Sequence, residues 1–261
     1  MVSNKKMELY KSKAELYDKF ISQSGKSYER VANIIEKHLK KTDAILELAA
    51  GTGNYAVEFK KKGYVNYVCS DLNKELLEIA EKKTNLKCLT LDMKSFSIKE
   101  KFDVVLILFK SLNYNLNLKE LKSTLKNSFN SLNPKGKLII EITNPEIILS
   151  NPKSGAFLFD LDEKNSLMHL SDVEGRFMTH YFMFIDKKTN KCELDKHKNY
   201  IFKKEEITNS IREVGFKKIE TERCFEHCSV SIISLIYYVV NIYFASTKAK
   251  FTYNSVIEKV V

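Results

Sequence analysis

Strand-length apolar runs alternate with amphipathic stretches through the middle of this chain. Ala44–Ala50, Tyr64–Ser70, Lys87–Leu91, Phe102–Phe109 and Lys137–Thr143 have the length and apolar density of strands buried on both faces. Between them, Tyr55 to about Lys62, Lys74–Lys83 and Lys119–Leu132 repeat apolar residues at helical spacing. Such alternation predicts a parallel sheet covered by helices on both faces. Upstream, residues 7–40 predict two helices, with Leu9, Leu16 and Phe20 on one and Val31, Ile34, Ile35 and Leu39 on the other. The polar linker Ser22–Ser27, with Gly25, joins them, and the pair can fold over an edge of the sheet.

The pattern changes after residue 145. Ser166–Val173, Phe177–Ile185 and Cys192–Phe202 alternate with period two and are separated by the turn-rich segments Val173–Arg176 and Asp186–Asn190, which predicts an antiparallel insertion. Period two places Met178, His180, Phe182 and Phe184 on one face. A helix over Glu205–Val214, stopped by Gly215, and strands at Phe216–Cys224 and Val239–Ser246 then return to the main sheet. The expected division is 1–42, an N-terminal helical lid; 43–145, the α/β core; 146–204, the inserted antiparallel β cap; and 205–261, the closing helix and hairpin.

With 261 residues, 44% of them hydrophobic, the chain can bury one sizeable core. The formal net charge of +10 permits an acidic partner, but the excess is nearly all lysine, spread along the chain. Only Arg30, Arg176, Arg212 and Arg223 offer the fork that holds phosphate bidentately, so nucleic acid is not the expected partner. Cys69, Cys88, Cys192, Cys224 and Cys228 are odd in number and lack framework spacing, which fits free thiols in a reducing compartment. Cys224-Phe-Glu-His-Cys228 lacks a second pair to complete a tetrahedral site, and no metal is expected. The N-terminus has charge without an apolar core, and Val230–Ala245 is polar-interrupted and too short to span a bilayer. The expectation is a cytoplasmic protein without membrane contact. Residues 230–245 also offer an apolar face for a two-fold homodimer.

Chemistry concentrates at the ends of the first three strands. The run Ile45 to Tyr55, I-L-E-L-A-A-G-T-G-N-Y, ends in Gly51 and Gly53 just before a helix, where residues without Cβ let a ligand approach the backbone. Glu47 puts a carboxyl inside an otherwise apolar run, which demands a partner or a ligand. Asp71 follows the second run, about twenty residues beyond Gly53, the spacing of an acid that accepts ribose hydroxyls. Asp92 ends the third. The glycine loop, Asp71 and Asp92 therefore converge on the carboxyl edge, where open α/β sheets bind ligands.

The E-x-x-x-G-x-G of Glu47, Gly51 and Gly53, S-D-L-N at Ser70–Asn73, L-D-M at Leu91–Met93 and F-D-V-V-L at Phe102–Leu106 resemble class I S-adenosylmethionine-dependent methyltransferases, in that family's order and spacing, from about Ala44 to Pro145. The resemblance implies a Rossmann-like, seven-stranded, mostly parallel sheet. It also implies S-adenosyl-L-methionine as cofactor and S-adenosyl-L-homocysteine as product, with the methionyl group against Ala49–Gly53, ribose on Asp71, and adenine between Leu72 and the Asp92–Met93 pair. Leu108 is implied as a further lining residue. The N-terminal A-E-L-Y-D-K-F and G-K-S-Y-E-R resemble the small-molecule members, notably N-methyltransferases of aminosugars on nucleotide carriers, in which such helices form a lid. Tyr10, Tyr17 and Tyr28 become site-lining candidates, Tyr17 toward both cofactor and acceptor.

Residues 108–115, L-F-K-S-L-N-Y-N, resemble the stretch of that group whose last aromatic or histidine faces the acceptor, and Tyr114 holds this position. The N-P-P-Y or D-P-P-Y element that grips a flipped base is missing, which sets nucleic-acid methylation behind a small polar acceptor, a nucleotide-linked or phosphorylated carrier among the forms that fit. Because the sulfonium methyl is already activated, the protein must align the acceptor and remove its proton. Tyr114 and His180 are the candidates for the proton and Tyr17 for alignment, while His169 and His197 have no stronger claim. Whether nitrogen or oxygen is methylated stays open. Gly51-x-Gly53-x-x-Ala56 also matches a dinucleotide pattern, but a nicotinamide site needs no acid facing the loop where its pyrophosphate lies, so Glu47 and Asp92 count against an oxidoreductase. A non-catalytic cofactor-binding protein is the remaining alternative.

Overall fold

The structure is a computed structural model that describes residues 13–150, 155–228 and 236–246. Two helices, α1 (Ala14–Gln23) and α2 (Tyr28–Glu36), precede the first strand. The order continues β1 (Ile45–Leu48), α3 (Asn54–Lys61), β2 (Tyr67–Asp71), α4 (Lys74–Thr84), β3 (Lys87–Thr90), β4 (Phe102–Ile107), a 3₁₀ turn (Ser111–Tyr114), α5 (Leu118–Ser131) and β5 (Leu132–Thr143). After α6 (Pro145–Ser150) come β6 (Gly155–Asp160), β7 (Asn165–Glu174), β8 (Phe177–Asp186) and β9 (Lys191–Tyr200). The chain closes with α7 (Lys204–Glu213), β10 (Lys218–Cys228) and β11 (Ile236–Ser246).

The main sheet runs β10-β11-β5-β4-β1-β2-β3. Its five strands β1 to β5 are parallel, and β10 and β11 are antiparallel to them. The chain builds outward from β1 to β3, then crosses back to place β4 on β1's other side. This reversal opens a crevice beyond the carboxyl ends of β1 and β4. Period-two alternation divides the interior. Leu46, Leu48, Val105 and Ile107 pack toward α5 and α7, whereas Ile45, Tyr67, Cys69, Val104 and Leu106 pack toward α2 and α3.

The second sheet, β6-β7-β8-β9, is antiparallel throughout. Its inner face meets α1 in a separate core, with Phe20 and Ile21 against Leu161, Leu167, Phe182 and Phe184. Helix α1 thus lies between the cap and the carboxyl edge of the main sheet.

Several boundaries differ from the sequence expectation for physical reasons. β2 begins at Tyr67 rather than Tyr64: Gly63 is left-handed, and the Tyr64 amide bonds Phe59 O, so this buried tyrosine finishes the turn after α3. β1 stops at Leu48 because Ala49 turns left-handed, at φ 55°. β6 and α6 were not expected. The Phe157-Leu158-Phe159 run is apolar on both faces, which masks its alternation, and six residues are too few to show helical periodicity. Residues 229–235 and 247–261, and with them most of the apolar 230–245 stretch's first half, lie outside the described residues, as does Tyr10. The side chains of Cys224, His227 and Cys228 likewise lie outside them.

Candidate active site

The glycine loop is shaped by main-chain bonds to neighbouring strands. The Ala50 amide donates to Ser70 O at 2.8 Å, and the Gly51 amide donates to Asp71 Oδ2 at 2.9 Å. Ala49, Gly51 and Gly53 all have positive φ, and the non-glycine Ala49 carries a conformational cost of roughly 1–2 kcal/mol. At Gly53 a side chain is sterically barred, because an added Cβ would meet Ala80 Cβ at 2.9 Å. At Gly51 an added Cβ would meet nothing within 4 Å, so the space in front of the loop is open.

Asp71 ends β2 facing that space. Its Oδ1 accepts from the Asn73 amide at 2.9 Å, and burial raises its carboxyl above the usual range against the pull of these main-chain bonds. Next to it, Leu72 is 62% exposed, an apolar side chain the protein itself does not cover. Open space at Gly51, a carboxylate at one end and an uncovered leucine beside it suit a ligand with a polar ribose and an apolar base. Asp92 Oδ1 accepts from the Lys94 amide at 2.9 Å, and Met93 is buried beneath it. Leu108 is 1% exposed and packed into the α2–α3 side of the core, so its side chain belongs to the core and not to the space before the loop.

Glu47 has a protein partner. It is 2% exposed and accepts from the Tyr67 phenol at 2.8 Å, and burial pushes it up to about 8, so it carries its proton at neutral pH. The carboxyl inside the apolar run is satisfied within the core, beneath the loop rather than in the space before it.

Three residues that the sequence reading did not single out, Asp18, Lys26 and Glu141, fasten the lid to this edge. Asp18 of α1 accepts from Thr52 Oγ1 at 2.7 Å and Asn54 Nδ2 at 3.0 Å, and pairs with Lys83 at 2.5 Å. Helix α1 is thereby tied to the glycine loop itself. Lys26, in the linker between α1 and α2, reaches Glu141 of β5 at 2.6 Å, with both side chains buried. Glu141 also accepts from Tyr55 Oη at 2.5 Å and from the Phe109 amide at 2.8 Å. Burial alone would raise this carboxyl; Lys26, Tyr55 and the amide outweigh it and hold it below the ordinary range. Phe109 and Lys110 are consecutive left-handed non-glycine residues, and Glu141 holds both, since Lys110 N donates to its carbonyl at 3.2 Å. Lys26-Glu141 therefore fixes the strained exit from β4 that carries Tyr114. Glu141 interrupts an apolar strand as Glu47 does, a signal that could have found it. On the cap, His197 of β9 meets the same exit: its Nδ1 lies 3.0 Å from Tyr114 Oη.

The remaining predicted residues fall into two groups. Tyr17 packs edge-on to Phe182, with centroids 5.6 Å apart, between α1 and the cap. Tyr28 accepts from Asn54 Nδ2 at 3.3 Å and packs edge-on to Tyr55, at the start of α3. His180 stands on the inner cap face, its Nδ1 3.1 Å from His169 Nε2. Burial, then His169 and Lys110, push it down to about 3, and burial pushes His169 down to about 4. Both imidazoles are held neutral by this burial, which makes His180 a weaker base than an exposed histidine.

Comparison with known proteins follows the same lines. A family model described as Methyltransferase domain (Methyltransf_25) matches residues 45–136, from β1 to the turn in β5. Among solved structures, an S-adenosylmethionine-dependent methyltransferase from Clostridium acetobutylicum ATCC 824 superposes with a TM-score of 0.73 at 24% identity, covering 90% of this chain and 98% of that one. The fold is thus that of these methyltransferases, with an added antiparallel sheet. The protein YqeM of Bacillus subtilis (strain 168) is 30% identical over 139 residues, 51% of this chain and 55% of that protein. The dTDP-3-amino-3,4,6-trideoxy-alpha-D-glucopyranose N,N-dimethyltransferase of Streptomyces venezuelae is 27% identical over 135 residues, 49% of this chain and 56% of that enzyme. The matches thus span about half the length of these curated relatives. Among the described residues, no helix is long and apolar enough to cross a membrane.

Proposed function

We propose that this protein is an S-adenosylmethionine-dependent methyltransferase whose acceptor is an amino group on a small, nucleotide-linked sugar. The observation that carries the first half is the Gly51–Asp71 bond: it aligns a glycine loop with open space before it, a ribose-accepting carboxylate and the exposed Leu72 on one edge. Ala49, Gly51 and Gly53 would hold the methionyl portion, Asp71 the ribose, and Leu72 with Asp92 and Met93 the base. The bound cofactor supplies an activated methyl group. The protein's own task is then to exclude water with α1 and the cap, to orient the acceptor between Tyr17 and the cap face, and to take its proton at Tyr114.

Support for the acceptor class is the name of the Streptomyces venezuelae relative and the net charge of +10, which draws an anionic carrier. The test is release of S-adenosylhomocysteine when the purified protein meets S-adenosylmethionine with dTDP-3-amino-3,4,6-trideoxyglucose, with the hydroxyl analogue and with glycine as comparisons. Methylation of the aminosugar ahead of both comparisons is expected. Equal or greater activity on the hydroxyl analogue, or activity on nucleic acid that nuclease treatment abolishes, would refute this acceptor class.

A further inference from the structure

The pairing of Tyr114 with His197 has more content than a buried contact between the β4 exit and the cap. Tyr114 Oη and His197 Nδ1 are 3.0 Å apart, and His197, on β9, is 2% exposed, enclosed between the turn and β8. Its other nitrogen, Nε2, has Asp195 Oδ2, two residues back on the same strand and face, at 3.5 Å, an ion-pair distance and not a hydrogen bond. A carboxylate can only accept, so it favours the tautomer with the proton on Nε2. Nδ1 then holds a lone pair, and the Tyr114 phenol must donate to it. The phenol's hydrogen is thereby committed to His197, and a phenol oxygen that donates in this way keeps acceptor capacity of its own.

From this geometry, and resting on the function proposed above, we infer that His197 positions Tyr114 and receives its proton as Tyr114 takes one from the acceptor. The N–H hydrogen of the acceptor ammonium passes to the phenol oxygen while the phenol hydrogen passes to Nδ1. The acceptor nitrogen keeps the electron pair with which it takes the methyl group. His197 ends as an imidazolium whose Nε2–H faces Asp195, and Tyr114 is again a neutral phenol. The surroundings assign the role to this histidine. On β8, His180 is its cross-strand neighbour and Phe182 lies 5.1 Å away, ring to ring. On β7, His169 is bonded to His180, and Lys110 at the start of the turn opposes protonation of both. Of the three cap histidines, His197 is the one that contacts both Tyr114 and a carboxylate.

The arrangement is testable without knowing the acceptor, by long-range ¹H–¹⁵N NMR of the full chain, with the His197 signals identified through their loss in His197→Asn. The neutral imidazole is expected as the Nε2–H tautomer, with an Nδ1 resonance that moves in Tyr114→Phe. An Nδ1–H tautomer, or an Nδ1 resonance indifferent to Tyr114→Phe, overturns the inference. In turnover with dTDP-3-amino-3,4,6-trideoxyglucose, His197→Asn keeps an acceptor for the phenol but cannot take a proton. It should leave S-adenosylhomocysteine affinity and KM near wild type, lower kcat about 10- to 100-fold and flatten the acidic limb of its pH profile. The double variant with Tyr114→Phe should lose no more than Tyr114→Phe alone. Unchanged kcat and pH profile in His197→Asn would overturn the relay. Absence of S-adenosylhomocysteine binding in the wild type would refute the methyltransferase reading instead, with the tautomer result still standing.

Discussion

Three carboxyls, Glu47 and Glu141 buried and Asp71 half-buried, do different work with the same chemical group. Asp71 is bonded by main-chain amides and faces open space, Glu141 is neutralised by Lys26, and Glu47 keeps its proton. The last has a thermodynamic signature. Glu47 rises from 4.5 to about 8 on folding, so between these values the unfolded chain ionises while the folded one does not. Its contribution to stability is full below pH 4.5 and is lost as pH rises toward 8, at roughly 1.4 kcal/mol per unit at most. Glu47→Gln should therefore raise the thermal midpoint relative to wild type increasingly between pH 5 and 8, and little at pH 4.5. A difference independent of pH in thermal melts of the two proteins would show that Glu47 is ionised in the fold. Asp71 and the loop glycines were legible because their chemistry is local to one strand-turn-helix unit. His197, Lys26 and Asp18 were not, since each acquires its role from a partner 34 or more positions away, and period-two patterning says which face a residue takes but not what it meets.

At the scale of elements, the strength of the lid's attachment stands out. Helix α1 is held to the glycine loop through Asp18, the linker to β5 through Lys26, and α1's apolar face to the cap through Phe20 and Ile21. The Lys26–Glu141 pair is the most exposed to mutation, because removing one partner leaves a charge stranded in the core. Lys26→Met should lower stability by about 3–5 kcal/mol, read from denaturant unfolding, while Lys26→Met combined with Glu141→Gln should recover a good part of that loss. If the double variant is no more stable than Lys26→Met alone, the pair acts through packing and not through charge. The parallel strands were legible from their buried runs, and three of the four cap strands from their alternation. β6 escaped because Phe157, Leu158 and Phe159 are apolar on both faces, and the Glu141 clamp because strand patterning carries no information about the linker that closes over it.

The molecule as a whole brings two sheets to one crevice. The parallel sheet carries the loop, Asp71 and Leu72 at its carboxyl edge; the antiparallel sheet packs on α1 through Phe182 and Phe184 and meets the exit of β4 where His197 reaches Tyr114. Ligand should consequently stabilise the assembly as a unit. At a concentration 100 times its dissociation constant, S-adenosylhomocysteine should add about 2.7 kcal/mol to unfolding stability, visible as a raised thermal midpoint. The measurement that bears most directly on the central claim is calorimetric titration of S-adenosylmethionine, S-adenosylhomocysteine and NAD into the wild type and Asp71→Ala. Binding of the first two by the wild type, weakened at least tenfold in Asp71→Ala, is the predicted result. Binding of NAD alone, or of S-adenosylhomocysteine with equal affinity in both proteins, would contradict the assignment of the Gly51–Asp71 edge as the methyl-donor site.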